Sequence, residues 1–251
     1  MQYGICHLSV VSVRNGANCH DQMVTQLLYG EHFKVKEIRK TCSKIQIAFD
    51  KLEGWIDNKQ YSFISEDDFK EASSYTDQRL STDFIAHLNC NEQLLSPLLL
   101  GSRIDLSNLL NHSFEGNAPI VKKSKEKLVE TALLYLNAPY LSGGKTPFGI
   151  DASGLTQMVY KINGFQLFRA TEQQSTQGEP LSFIEESEPG DLAFFDDNDG
   201  IINHVGIILK DNYIIHSHGK VRIDRIDHTG IFNVQEKNYS HKLRVIKKIT
   251  A

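Results

Sequence analysis

The hydrophobic pattern of this chain changes once, near residue 122, and that change limits what it can fold into. Before it, short apolar runs alternate with turn residues. Leu8-Ser9-Val10-Val11-Ser12-Val13, Val24 to Leu28, Phe33 to Ile38 and Ile45 to Phe49 are separated by Asn15-Gly16, Gly30-Glu31 and Asp50-Lys51. Runs of this length with this punctuation predict closely spaced strands in a small barrel over residues 1–65. Residues 62–75 are polar and acidic, with Ser65-Glu66-Asp67-Asp68, and are expected to form a connector. Phe84 to Leu88 and Leu94 to Leu100 follow, then Gly101-Ser102-Arg103-Ile104 and Phe114-Glu115-Gly116. Leu94 to Leu100 fits a helix or a strand, because so short an apolar run carries no period of its own.

After residue 122 the pattern turns helical. Ser124 to Leu136 puts Leu128, Ala132, Leu133 and Leu136 on one stripe, with Ser124 as the expected cap. Gly154 to Ile162 gives a second stripe of Leu155, Met158, Val159 and Ile162, and Asn163-Gly164 predicts its left-handed stop. Strand-like runs follow at Leu192 to Phe195, Val205 to Leu209, Tyr213 to His216, Val221 to Ile226 and Leu243 to Ile249. Helices followed by a meander of strands predict an α+β fold over residues 122–251.

A chain of 251 residues, 40% hydrophobic and 23% charged, has ample material for a core in one to three domains. A net charge of −4 lacks the global basic footprint of a nucleic-acid binder. No run of 18 apolar residues predicts a membrane span. Met1 to Cys6 does not read as a signal peptide, so a cytoplasmic protein is expected. Cys6, Cys19, Cys42 and Cys90 lack metal-type spacing and are expected as free thiols of a reducing compartment.

The chemistry concentrates in a few motifs. Pro139-Tyr140-Leu141-Ser142-Gly143-Gly144 precedes Gly149-Ile150-Asp151-Ala152-Ser153-Gly154-Leu155. Gly190-Asp191-Leu192, His204-Val205-Gly206-Ile207 and His216 come later. Gly143, Gly144, Gly149 and Gly190 suit positive φ or close backbone approach, and Asp191 suits a turn. These motifs resemble the NlpC/p60 family of cysteine peptidases, which cut cell-wall peptides. The stretch from Val13-Arg14 to Gly54-Trp55-Ile56-Asp57 resembles a bacterial SH3-type domain. The resemblance implies two small N-terminal SH3-like β-barrels, over 1–65 and, in degenerate form, 76–118. A papain-like domain over 122–251, with helices packed on an antiparallel sheet, would follow.

In that family the nucleophile lies between the Asp and Ser of an Asp-Cys-Ser-Gly run. Here Ala152 stands there, and it has no group that attacks a carbonyl. By resemblance, His204 is the general base, His216 orients it, and Tyr140 helps to hold the oxyanion. Asp151 and Ser153 would hold the free amine of a substrate L-alanine, and Thr171 would line the same pocket. At Ser142 the family commonly has a bulky aromatic that walls the pocket. In the first barrel, Gly16 and Leu52 stand near where relatives carry an acidic residue and a tyrosine. Ala152 is therefore either a natural loss, as these departures favour, or a deliberate replacement in an otherwise intact enzyme.

The resemblance implies a partner such as the muropeptide L-Ala-γ-D-Glu-L-diamino acid, either bound without turnover or cleaved as a γ-D-glutamyl-L-diamino acid endopeptidase would. A third class is amide chemistry through Ser153 or a metal. His204, His216 and His218 have spacing permissive for zinc, since residues two apart on a strand share a face. With no nearby cysteine or clear carboxylate ligand, neither a metal site nor a cofactor is expected.

Overall fold

The computed structural model describes residues 1–75, 78–91, 94–197 and 199–249, in two compact units, Met1–Val121 and Lys122–Ala251. Residues 76, 77, 92 and 93 of the segment expected as a second barrel lie outside the described residues, as do 198, 250 and 251 of the second unit.

The first unit begins with seven strands: β1 (Gln2–Ile5), β2 (Val10–Arg14), β3 (Met23–Leu28), β4 (His32–Ile38), β5 (Cys42–Ile47), β6 (Glu53–Asp57) and β7 (Ser62–Ile64). They form one antiparallel sheet in the order β3-β2-β6-β5-β4-β1-β7. Alternation sets its inner face: Ser43, Ile45 and Ile47 of β5 point inward while Cys42, Lys44 and Gln46 stay partly exposed. Val11, Val13, Leu27, Phe33, Val35, Ile45, Ile47 and Ile56 make the core. This is the expected SH3-like layout.

The predicted connector contains a helix, α1 (Glu66–Ser74). Ser65 accepts from the Asp68 N–H at 3.0 Å, and the Asp68 carboxylate accepts from the Ser65 N–H at 3.2 Å. This reciprocal cap, with acidic residues in the first turn, starts a helix on a polar segment. Phe69 and Ala72 are its only buried residues, too few to show a stripe in the sequence. Phe69 stacks on Tyr3 at 4.4 Å between ring centres.

Residues 78–121 add β8 (Ile85–Asn91), β9 (Leu94–Leu99), a 3-10 turn at Ser107–Leu110 and β10 (Ser113–Phe114). The ambiguous run at Leu94 is thus a strand, because Leu98 pairs with Ala86 and both Leu88 and Leu98 pack with Tyr29 and Ile104. The described strands here form a three-stranded sheet, β10-β8-β9. Gly30, at φ +77°, lets the β3–β4 turn meet this segment: an added Cβ would lie 2.0 Å from the Arg103 carbonyl oxygen.

The second unit contains α2 (Leu128–Leu133), β11 (Lys145–Thr146), β12 (Gly149–Ile150), α3 (Ala152–Ile162), α4 (Thr171–Gln174) and β13 (Glu179–Leu181). Then come β14 (Leu192–Asp196), β15 (Ile202–Ile208), β16 (Tyr213–His218), β17 (Lys220–Ile226), β18 (Gly230–Asn233) and β19 (Asn238–Lys248). Helix α2 is shorter than its stripe predicts, and Ser124 does not cap it. Lys125 is instead drawn to Asp191 and Glu188, both at 2.9 Å, and Lys127 occupies the cap position without a side-chain bond. Helix α3 keeps Leu155, Met158 and Val159 fully buried against β15 and β16, and it ends at Asn163 followed by Gly164 at φ +80°.

Strand β19 pairs with β14 along one edge and with β18 along the other. The meander therefore closes on itself through β14, β15, β16, β17, β18 and β19. Ala193, Phe195, Ile208, Ile214, Ile226, Ile231 and Ile246, drawn from all six strands, fill the interior. No helix among the described residues is long and apolar enough to cross a membrane.

Candidate functional site

Asp151 is extended and caps α3, accepting from the Gly154 N–H at 2.7 Å. Ala152 is thus the first helical residue, 7% exposed, at the positive end of the helix. That position would depress the pKa of a thiol. A methyl group gains nothing from it. The other Asp151 oxygen accepts from the Gly143 N–H at 2.7 Å and from Arg169 at 2.8 Å. Arg169 is buried and also donates to the Ser153 hydroxyl at 2.8 Å. Asp151 and Ser153 are therefore built first into the scaffold of the helix start. Arg169 was not singled out in the sequence, because its partners lie 16 and 18 residues away.

Thr171 opens α4, and Gln174 of the same short helix is fully buried. The Gln174 amide accepts from Thr156 at 2.7 Å and donates to the Ser153 carbonyl at 2.9 Å, so α4 is fastened to the first turn of α3. Tyr140 is 49% exposed, bridged to Ile150 and bonded by its N–H to the Gly219 carbonyl. Ser142, two residues on, is exposed and presents no wall.

The histidines lie at one end of the closed barrel. Counting by twos from interior Ile208 and Ile214 leads to His204 on β15 and to His216 and His218 on β16. The β15–β16 register puts Gly206 opposite His216, so His204 is level with residue 218. This is the end where Ser217 donates to the carbonyl of Ile150, two residues before Ala152, at 2.8 Å. The structure thus brings the start of α3 and the His204 end of the sheet to one place.

His204 Nε2 is 2.8 Å from His216 Nδ1, and His216 Nε2 is 3.0 Å from the Asp224 carboxylate. Arg222 holds the same carboxylate at 2.6 Å through Nε. The result is a continuous chain, His204–His216–Asp224–Arg222. A fourth ring, His241 of β19, stacks on His204 at 3.9 Å and 21°. His218 is exposed and lies 5.0 Å from His241 between ring centres. The three histidines whose nitrogens lie within 4.8 Å of one another are His204, His216 and His241, rather than the His204–His216–His218 set that strand spacing suggests.

Burial disfavours the charged form of His204, His216 and His241. Burial, then repulsion from His241 and His216, holds His204 well below the usual histidine value. Burial also lowers His216, outweighing the pull of Asp224. His241 is pushed down to about 3, by burial and then by His216 and His218. Burial alone would raise the Asp224 carboxyl, but the bonds from His216 and Arg222 outweigh it and hold it low. A neutral imidazole whose Nε2 is engaged leaves Nδ1 as the other ring nitrogen of His204.

Residues 137–241 match the NlpC/P60 family, and residues 13–60 match the bacterial dipeptidyl-peptidase SH3 domain. Dipeptidyl-peptidase 6 of Lysinibacillus sphaericus is 36% identical over 111 residues, covering 43% of this chain and 36% of that protein. The gamma-D-glutamyl-L-lysine dipeptidyl-peptidase of Bacillus subtilis is 33% identical over 98 residues, covering 38% and 33%. The chain thus matches about a third of the length of these curated relatives. Among solved structures, an NlpC/P60 family protein from Bacillus cereus superposes with a TM-score of 0.77 at 19% identity, covering 98% of this chain and 99% of that one. That likeness establishes the shared fold.

Proposed function

The chain carries an NlpC/P60 domain behind a bacterial SH3 domain, and on that premise we propose that it binds cell-wall peptides without cutting them. The observation that carries this reading is Ala152 at the first position of α3. The nucleophile's place is occupied by a methyl group while the scaffold around it is kept. Ser142, exposed and small, fits a pocket opened for binding rather than closed for turnover. The ligand is a muropeptide of the L-Ala-γ-D-Glu-L-diamino acid type, with Tyr140, Asp151, Ser153 and Thr171 as contacts. Residues 76–118 serve as a degenerate SH3-type module beside the first barrel. Free cysteines throughout fit a reducing compartment, and the protein acts in the cytoplasm in this reading.

The unbroken His204–His216–Asp224 chain favours one alternative. With cysteine at position 152, His204 would take the thiol proton and His216 would orient its ring. Tyr140 and a backbone N–H would hold the oxyanion. The chain would then be a γ-D-glutamyl-L-diamino acid endopeptidase of muropeptide recycling, disarmed by one substitution. The deciding experiment compares L-Ala-γ-D-Glu-meso-diaminopimelate with the protein as it stands and with Ala152→Cys. Saturable binding by the former and no turnover by either supports the binding protein. Turnover by Ala152→Cys supports the alternative. Failure of the unaltered protein to bind the peptide at all overturns the muropeptide reading.

A further inference from the structure

We propose that the outer face of α2 and the β15–β16 turn form a surface through which two copies of this chain associate about a two-fold axis. The inference concerns a face of the second unit and does not depend on whether the protein binds or cuts peptides. Helix α2 turns Leu128 and Ala132 into the core, yet it carries a second apolar pair, Val129 and Leu133, on its outer side. A helix that is apolar on two sides is one that is covered on two sides. Val129 and Leu133 line a groove of about 710 Å³ together with Leu209, Tyr213 and Ile223. Leu133 is 42% exposed and Ile223 37%, although both are large and apolar. An apolar strip left facing water along one groove marks an interaction site.

What covers the strip follows from the charges beside it. On the α2 side stand Glu126 and Glu130, both exposed. Lys125 lines the same side, but Glu188 and Asp191 already hold it, each at 2.9 Å. On the turn side stands Lys210, also exposed, and next to it Arg225 lies over the Tyr213 ring at 4.8 Å. Among the described residues, Glu126, Glu130, Lys210 and Arg225 enter no ion pair. One wall is thus acidic and the other basic, with an apolar floor between them.

A two-fold rotation lays the α2 wall of one copy against the turn wall of the other, and does the same in reverse. Glu126 and Glu130 of each copy then meet the basic wall of its partner, twice, around a seam of Leu133 and Ile223. An apolar centre ringed by matched charges is the anatomy of a protein interface, and the charges fix its register. Other occupants fit less well. A cationic peptide would answer the glutamates but oppose Lys210. A small ligand needs convergent, sheltered polar groups, whereas the unpaired charges of this groove stand exposed at opposite rims.

The test is sedimentation velocity of the full chain over a concentration series up to about 100 μM. A species of twice the chain mass is expected, growing with concentration and receding as salt screens the rim charges. Leu133→Asp places a carboxylate in the apolar seam and should weaken association about 100-fold or more. Glu130→Lys and Lys210→Glu each set like charges opposite one another and should each weaken it about tenfold. All three positions are exposed, so circular dichroism should show the variants folded like their parent. Mixing the two charge variants is the sharpest arm: opposite charges meet again at both contacts of the mixed pair, so the mixture should associate as the unaltered protein does. A single-chain mass throughout the series, unchanged association of Leu133→Asp, or a mixture no more associated than its components overturns the proposal. If Leu133→Asp does not fold, the charge variants and their mixture still decide.

Discussion

Acid should destabilise the second unit through its histidines before its carboxylates. Burial and the neighbouring His216 and His218 keep His241 neutral down to about 3. In the unfolded chain it returns to an ordinary value near 6.5. Between those two values the unfolded state binds a proton that the folded state refuses, so stability falls as pH falls. The contribution is fully present above about pH 6.5 and is lost progressively toward about pH 3. For one such histidine, linkage gives a loss of roughly 2 kcal/mol between pH 7 and pH 5. His204, also held well below its usual value, adds a loss of the same sign. Asp224 and Glu188 are held low as well, Glu188 at about 2, beside Lys125 and Lys248. Their unfolded values near 4 confine their effect to below about pH 5. A total stability of roughly 5–15 kcal/mol makes the histidine loss easy to measure. The sole tryptophan, Trp55, lies in the first unit, so unfolding of the second is best followed in urea by NMR signals of its own residues. His241→Gln should lose about 2 kcal/mol less than its parent over this interval. Equal losses in the two proteins, or a His241 ring titrating near 6.5, would refute the reasoning.

Other consequences can be checked in the same way. Arg169→Met strands the Asp151 carboxylate at the start of α3 and should cost about 3 kcal/mol in urea unfolding, partly recovered by adding Asp151→Asn. Met158→Ala removes a fully buried side chain from the face of α3 and should cost about 2–5 kcal/mol by the same measurement. Ser65→Ala removes one arm of the reciprocal cap on α1 and should cost about 1 kcal/mol, read as faster hydrogen exchange in residues 66–74. In an Ala152→Cys protein that turns over peptide, Asp224→Asn should lower kcat about tenfold or more with little change in KM, because His216 then loses the carboxylate that sets its tautomer. An unchanged kcat and pH profile would make Asp224 structural only.

Much of this protein could be read without coordinates. Alternating runs and turn residues specify four strands of the first sheet, β2 to β5, because a half-buried strand records its own period, whereas β1, β6 and β7 showed no such run in the sequence. The stripe Leu155, Met158 and Val159, with Asp151 before it and Gly164 after it, specifies α3, because caps and helical faces are local properties. Helix α1 was not read from the sequence, where residues 62–75 pass for a polar connector, since two buried residues make no stripe. The absence of a nucleophile at 152 is likewise a fact of sequence. Arg169, Gln174, Asp224 and His241 acquire meaning only in space. His241 carries no motif of its own, and it meets His204 because β19 pairs with both β14 and β18 and closes the barrel. Strand pairing is a contest among distant segments for the same backbone bonds and the same core, and no local pattern records its outcome. Local chemistry wrote the elements and the missing thiol; the closure of the sheet decided which histidines face one another.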